Sequence, residues 1–180
     1  MLNKQSKICI KICLLLATYS LSICTQANDK IIYQNWAIDS GLETVEAYTA
    51  NDSSSSFGLF CGGSTCTFYL HTNIGCQPNA KNSVLLNSAS ISTAINMQCT
   101  LIRNNYFEIL EPFDVVMNAV NSGEYIGFAV ALQGGAFAVA RFSLIGAKTA
   151  IGQALNLAAS KKSKPSPPQP NLQNSRQINL

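Results

Sequence analysis

Residues 125–144 form a strongly apolar stretch, and the way this stretch folds decides the class of the whole protein. A helix that spans a bilayer needs about 20 such residues, so length alone would permit one. Gln133, Gly134 and Gly135 interrupt the stretch near its centre, however, and a Gly-Gly pair between two apolar runs is typical of a hairpin turn. The sequence therefore predicts two antiparallel strands here rather than a membrane helix.

Further short strands are predicted upstream of this hairpin. In residues 43–49, Val45 and Ala47 alternate with Glu46 and Tyr48, which is the period of a strand with one buried face. Other strand-like runs, each bounded by turn residues, cover residues 57–61, 66–70, 84–86, 91–102 and 106–110. Runs of this length and spacing predict a mainly β (α+β) fold, with an antiparallel β-sandwich or barrel-like domain.

Two helices are predicted in the C-terminal part. Pro112 precedes apolar residues with helical spacing, which indicate a short helix near residues 113–122, and Gly123 is placed to end it in a left-handed cap. A second helix is predicted near residues 146–159. The small residues of the preceding hairpin, such as Gly127 and Ala129, would leave room for this helix to pack closely against it.

The N-terminus has the three parts of a secretory signal. Three lysines precede any acidic residue, a short apolar run begins at residue 12, and residues 25–27 supply the small residues of a cleavage site. We expect residues 1–27 to be removed and the mature chain to begin at Asn28. The alternatives are a retained N-terminal anchor, for which the apolar run is short, and a lipoprotein modified at Cys24, for which the bulky Ile23 is unsuited.

Loss of the signal changes the charge of the chain. The full sequence has 12 basic and 9 acidic residues, and removal of Lys4, Lys7 and Lys11 leaves equal numbers. All the acidic residues fall in residues 28–160, which we predict to be a single β-rich domain. Residues 161–180 are basic and proline-rich, and we expect this tail to be disordered. No basic stripe with interleaved aromatic residues occurs in the body, so no nucleic-acid partner is predicted, and membrane contact is expected only through the signal or the tail.

Four cysteines remain after the signal: Cys61, Cys66, Cys76 and Cys99. An even number in an exported chain predicts two disulfides, although four cysteines allow three pairings. We favour Cys61–Cys66, because these residues would close the loop of a hairpin, and this leaves Cys76–Cys99. Zinc is the alternative, but the sequence has one histidine and no Cys-x-x-Cys pair, so no metal site is predicted.

Two segments resemble the invasion-associated locus B proteins of bacteria. The first is Tyr33-Gln34-Asn35-Trp36, which is similar to the Tyr-Gln-Asp-Trp opening of that family. The second runs from Asn118 to Ala150 and follows the family's order of helix, Ser-Gly, hairpin, Ser-Leu-x-Gly and final helix. Together the two segments cover about a third of the mature chain.

This resemblance implies an exported bacterial envelope protein with a β-sandwich-like fold. Some members of the family are linked to entry into host cells, and none has an established catalytic mechanism. The chain departs from the family pattern at Ser40, where a cysteine is usual, and it lacks the Gly-Cys that often precedes the helix. The resemblance therefore supports the inferred fold and compartment more strongly than it supports a role in invasion.

No catalytic or cofactor-binding residue is predicted. His71 is the only histidine, and neither Gly-x-Ser-x-Gly nor Ser-x-x-Lys occurs in the mature body to supply a nucleophile for it. Asp39, Glu43 and Glu46 are close in sequence and could form paired carboxylates, although alternation would place Glu43 and Glu46 on opposite faces. An aromatic binding patch could be formed by Trp36, Tyr48 and Tyr69, and we favour a place in the core for Trp36.

Arg141 lies in an apolar strand between Ala140 and Phe142. If it is buried it needs an ionic partner, for which Asp114 and Glu124 are the candidates. The alternative is an arginine at the edge of a strand, with its charged end in solvent.

The sequence thus predicts an exported envelope protein of a Gram-negative bacterium, in the periplasm or on the outer surface, with a non-enzymatic binding or structural role. That role would be related to host interaction or secretion, and the partner would be another protein or an envelope polymer. The alternatives are a small extracytoplasmic hydrolase that uses His71 and an inhibitor of a secreted enzyme.

Overall fold

The structure, a computed structural model, describes residues 30–162 apart from residues 64, 74, 103 and 133. The predicted signal peptide, and the predicted tail from residue 163 onward, lie outside these residues. The described residues form ten strands and two helices, in the order β1 (Lys30–Tyr33), β2 (Trp36–Ser40), β3 (Thr44–Ala50), β4 (Ser56–Gly62), β5 (Thr65–His71), β6 (Lys81–Asn87), β7 (Ser92–Ile102), β8 (Asn105–Glu111), α1 (Phe113–Val120), β9 (Tyr125–Ala131), β10 (Phe137–Ser143) and α2 (Ala147–Lys162).

The ten strands form one antiparallel sheet in the order β1-β2-β3-β4-β5-β8-β7-β6-β9-β10. The sheet curls into a half-barrel, and its two ends approach each other. The indole Nε1 of Trp36 donates a hydrogen bond to the carbonyl oxygen of Ser143 at 2.8 Å. The backbone N–H of Asn35 donates a hydrogen bond to the carbonyl oxygen of Ile145 at 3.3 Å. The prediction of a mainly β, barrel-like fold with two helices is therefore confirmed.

The hydrophobic core lies on the inner face of the curl, with Phe57 of β4 at its centre. The ring of Phe57 lies 5.1 Å from that of Phe128, 5.8 Å from that of Phe142 and 5.9 Å from that of Trp36. These residues come from β4, β9, β10 and β2, so the aromatic cluster joins the two ends of the sheet. Burial of each large side chain contributes roughly 1.5–3 kcal/mol to the stability of the fold. Trp36 is buried, so its expected place in the core is confirmed.

Helix α1 agrees with the predicted helix to within two residues at its C-terminal end. Val116, Ala119 and Val120 are buried on one face of it. Gly123, however, does not adopt the predicted left-handed conformation. A Cβ atom at Gly123 would lie 2.8 Å from the Cβ of Ala89, so glycine is needed there for close packing rather than for a helix cap.

Helix α2 packs elsewhere than the sequence indicated. Its buried face, which includes Ala150, Ile151 and Ala154, lies against β1, β2, β3 and β4 rather than against the β9–β10 hairpin. The helix continues to Lys162, three residues beyond the predicted end, and the Nζ of Lys161 donates to the carbonyl oxygen of Thr44 at 3.0 Å. The small residues of the hairpin therefore have another role.

The described residues contain two disulfides, and their pairing is the one that the sequence favoured. Cys61 and Cys66 lie directly opposite each other at the end of the β4–β5 hairpin, with their Cα atoms 4.0 Å apart. Cys76 and Cys99 join the segment before β6 to the middle of β7, with their Cα atoms 5.7 Å apart. Disulfides of this kind are typical of proteins in oxidising compartments.

Strands β1 and β2 were not identified from the sequence. They are short, and the Tyr33–Trp36 motif forms the tight turn between them, with Gln34 at φ 54°. Of the described residues, no helix is both long and apolar enough to cross a membrane. The apolar stretch at residues 125–144 forms strands β9 and β10, as predicted.

Candidate functional site

Two regions of the sheet's outer face, which is turned away from the core, have the composition of binding surfaces. We call the first the edge patch; it consists of exposed apolar residues on the outer face of β6, β9 and β10, namely Leu85, Tyr125, Phe137 and Val139. We call the second the aromatic pocket; it lies between β3, β4, β5 and the β7–β8 hairpin and is lined by Glu46, Phe60, Tyr69, Ile102, Asn105 and Phe107.

The edge patch surrounds a shallow groove of about 560 Å³. Gly127 and Ala129 of β9 form its floor, because Asn87 and Arg141 flank Gly127, while Leu85 and Val139 flank Ala129. The small residues that the sequence analysis assigned to helix packing therefore create a depression on the outer face. Phe137 and Val139 rise beside it with exposures of 63% and 73%, which is unusual for large apolar side chains of a folded sheet.

The hydrogen-bond register decides which backbone groups of β10 face away from β9. The N–H of Leu144 donates to the carbonyl oxygen of Glu124 at 2.7 Å. Backbone groups alternate in an antiparallel pair, so the even-numbered residues of β10 face β9. The N–H and C=O groups of the odd-numbered residues therefore point towards the free edge of the sheet.

This free edge is covered along only half of its length. The Trp36 indole donates to the Ser143 carbonyl oxygen at 2.8 Å, and the side-chain amide of Asn51 lies 3.5 Å from the next outward-facing carbonyl oxygen. Within the described residues, the outward-facing backbone groups of Phe137 and Val139 have no partner. The part of the edge with unpaired backbone is thus also the part with the most exposed apolar side chains.

Arg141 does not form the ion pair for which Asp114 and Glu124 were the candidates. It is exposed on the outer face of β10, and its guanidinium lies 4.2 Å from the centre of the Tyr125 ring. Among the described residues, neither carboxylate forms a salt bridge with it. Because the charged group is already in solvent and stacked on an aromatic ring, it needs no buried counter-ion, and the strand-edge alternative is correct.

The aromatic pocket has a volume of about 150 Å³ and combines three aromatic rings with one carboxylate. The rings of Tyr69 and Phe107 lie 5.0 Å apart at 77°, so they form two adjacent walls rather than a stack. The Tyr69 hydroxyl donates a hydrogen bond to Oε1 of Glu46 across two strands. Gly58 lies between them in the sheet, and a Cβ there would come within 2.8 Å of the Cβ of Tyr48.

Burial, and next the negative charge of Glu46, raise the pKa of the Tyr69 phenol well above its usual value. The phenol therefore stays neutral and keeps its donor proton throughout the physiological pH range. Because Tyr69 is almost completely buried, its ring is also fixed in place. The result is a rigid wall that holds one oxygen of the Glu46 carboxylate.

The structure brings together two of the three acidic residues that are close in sequence. Asp39 of β2 lies directly opposite Glu46 of β3, whereas Glu43 is exposed before β3 begins. Lys30 of β1 lies directly opposite Asp39 on its other side, so Asp39 stands between a cation and the Glu46 carboxylate.

The three aromatic residues considered for a binding patch do not form one. Trp36 lies in the core, Tyr69 lines the aromatic pocket, and Tyr48 is half-buried beneath the Nζ of Lys30, 5.2 Å from its ring centre. The ring that completes the pocket, Phe107, gave no separate signal in the sequence.

His71 lies next to the aromatic pocket but is not connected to a nucleophile. Ser56 is directly opposite it across β4 and β5, yet within the described residues no hydrogen bond joins the two side chains. Nδ1 of His71 lies 3.1 Å from the carbonyl oxygen of Tyr106, and the histidine ring packs against Phe107 at 5.1 Å. Among the described residues, the imidazole is therefore held by a backbone carbonyl and an aromatic ring.

Glu108 of β8 is a buried carboxylate that the sequence analysis did not identify. It faces the inner side of the sheet with 6% exposure, and its Oε2 has no hydrogen-bond partner among the described residues. Burial raises the pKa of this carboxyl from 4.5 to about 7. The described residues contain no group of three or more side chains suited to hold a metal ion.

Comparison with known proteins gives a similarity of fold. No protein-family model matches the chain, and no curated protein matches it in sequence. A solved structure does: that of invasion associated protein B from Bartonella henselae is 14% identical, with a TM-score of 0.52. The match covers 73% of this chain and 99% of that chain. At this identity the similarity shows a shared fold, in agreement with the resemblance noted in two segments of the sequence.

Proposed function

We propose that this protein is an exported component of the bacterial cell envelope that binds an extended segment of another protein at the free edge of β10. The observation that carries the proposal is the coincidence of unpaired backbone and exposed apolar side chains at Phe137 and Val139. An uncovered edge strand is a template for a further strand, since backbone hydrogen bonds provide affinity and side-chain contacts provide specificity.

Export is supported by the N-terminal signal pattern and by the two disulfides, which form and persist in oxidising compartments. The fold shared with invasion associated protein B supports a place in the envelope and a role in interaction with a host or in secretion. The groove beside β10 can accept side chains of the added segment, because Gly127 and Ala129 leave its floor low.

The proposal can be tested by photo-crosslinking in the native bacterium. A photoreactive phenylalanine derivative at position 137 replaces an aromatic residue with an aromatic residue and lies beside the unpaired edge. We expect it to give one crosslinked species of defined mass. The same derivative at Leu42, which is 83% exposed but lies in the turn between β2 and β3, is the control and should not give that species.

Two substitutions at Val139 then test strand addition itself. Val139→Pro removes the outward-facing N–H but leaves the pairing with β9. An edge strand tolerates proline at such a position, because the missing N–H faces away from the sheet. Val139→Thr keeps the N–H and the shape of the side chain. We expect the first to abolish the crosslink from position 137 and the second to retain it. A crosslink that survives Val139→Pro would contradict strand addition, and an adduct of twice the chain's mass would identify a second copy as the partner instead.

The location within the envelope can be determined independently by protease treatment of intact cells. Digestion of the folded domain would place it on the surface and favour a partner on a host. Protection until the outer membrane is permeabilised would place it in the periplasm and favour a partner in envelope assembly or secretion.

A further inference from the structure

We infer that the aromatic pocket is a binding site for a single organic ammonium group. The site is on the same face as the edge patch but is formed by different strands, and the inference does not depend on the function proposed for β10. Its ligand class follows from the walls, the charge and the size of the pocket.

The walls favour a cation. Phe60, Tyr69 and Phe107 supply three aromatic rings, and the electron-rich faces of such rings attract ammonium groups. Tyr69 is almost completely buried and forms the fixed back of the pocket, so the half-buried rings of Phe60 and Phe107 are the ones that a ligand can contact.

The charge of the pocket also favours a cation. Among the described residues that line the pocket, Glu46 alone carries a formal charge, and the hydrogen bond from Tyr69 is made to one of its carboxylate oxygens. Within the described residues, no salt bridge neutralises Glu46. A neutral apolar ligand would remove water from this carboxylate without replacing the lost interactions, which is costly. An ammonium group would replace them.

The size of the pocket limits the ligand to one group. Sites for whole small molecules usually have volumes of about 300–1,000 Å³. At about 150 Å³, this pocket can hold the end of a side chain or headgroup, with the rest of the ligand outside. Asn105 at the exposed rim offers an amide oxygen, which a primary ammonium group could use and a quaternary one could not.

A matched pair of probes separates charge from shape. Choline and 3,3-dimethylbutan-1-ol have the same size and shape, but the alcohol has a neutral carbon in place of the nitrogen. We expect choline to shift the aromatic NMR signals of Phe107 and Tyr69 saturably, with a dissociation constant on the order of 1 mM, and the alcohol to bind at least about tenfold more weakly. Butylammonium, which resembles the end of a lysine side chain, distinguishes the two sources: tighter binding than choline indicates a primary amine, and weaker binding indicates a methylated one.

Two variants and a control connect the binding to these residues. Glu46→Gln keeps an acceptor for the Tyr69 hydroxyl, so the fold is retained, and it should weaken the binding of the preferred cation by about tenfold or more. Phe107→Leu keeps an apolar wall without the ring and should weaken it several-fold. Glu124→Gln, which removes a carboxylate at the rim of the edge patch, should leave the affinity unchanged. Equal binding of choline and the alcohol, absence of saturable binding by both cations, or an unaltered affinity in Glu46→Gln would overturn the inference.

Discussion

The edge patch and the aromatic pocket lie on the same face of one sheet, yet they are built in opposite ways. At the edge patch, β10 has no neighbour on one side, so both its backbone and its side chains are available to a partner. At the aromatic pocket, every strand is paired on both sides, so only side chains can contact a ligand. These side chains pack against one another. An edge can therefore accept a chain, whereas the interior of a sheet can accept only a group that fits among side chains.

The largest expected difference between the two regions concerns a glycine in each. Gly58, beneath the aromatic pocket, has no room for a Cβ atom, since its position would be 2.8 Å from the Cβ of Tyr48. Gly127, in the floor of the edge patch, has its nearest neighbours at 3.9 Å. We expect Gly58→Ala to lower the free energy of unfolding by about 3 kcal/mol. Gly127→Ala should leave it unchanged or raise it by up to about 1 kcal/mol.

Urea unfolding with the disulfides intact measures both values. Equal and small effects would show that both positions have room for a Cβ atom, and the two regions would then not differ in packing. A large loss in Gly127→Ala would instead show that the groove is closed in solution.

A second, smaller difference is expected between two tyrosines. The hydroxyl of Tyr69 is buried and donates to the Glu46 carboxylate, whereas Tyr125 is exposed below the guanidinium of Arg141. Tyr69→Phe should lower the free energy of unfolding by about 2 kcal/mol, because a carboxylate loses a buried donor. Tyr125→Phe keeps the ring and should change it by less than about 0.5 kcal/mol. If both substitutions have the same effect, the hydrogen bond to Glu46 does not stabilise the pocket.

The last expected effect comes from Glu108, on the inner face behind the pocket, and it differs from the others because it depends on pH. Burial raises the pKa of its carboxyl from 4.5 to about 7, so between these values the folded protein holds a proton that the unfolded chain has released. Stability from this group is therefore fully present below pH 4.5 and is lost as the pH rises towards 7. Glu108→Gln should be more stable than the unaltered protein at pH 8 and similar to it at pH 4. The measurement is the unfolding midpoint of both proteins at each pH. If the difference between the two midpoints were the same at pH 4 and pH 8, this expectation would be contradicted.

The fold was largely predictable because its signals are local. Alternation in residues 43–49 and helical spacing after Pro112 each depend on a few neighbouring residues, and β3 and α1 formed where these patterns indicated. Strands β1 and β2 lacked such a signal, since each is short and the turn between them is polar and aromatic. The inward position of Glu108 was available in principle, because it alternates in step with Leu110 of the same strand.

The candidate sites were less predictable because they depend on strand order. The sequence indicated that the β9–β10 hairpin carries small residues, but small residues suit a packed helix and an open groove equally well. Only the arrangement that leaves β10 at the edge shows which applies. The aromatic pocket likewise needs β8 to insert next to β5, which brings Phe107 to Tyr69, and no local pattern predicts this.

The hydrogen bond from the Trp36 indole to Ser143 has a consequence for how the protein folds. It joins residues 107 positions apart, and the aromatic cluster around Phe57 also needs β9 and β10. Contacts between such distant parts of a chain form slowly, since a long segment must be ordered before they can stabilise it. Synthesis proceeds from the N-terminus, so the first strands are finished well before the last strand that completes their core. The chain consequently remains open to chaperones until almost its entire length has been made.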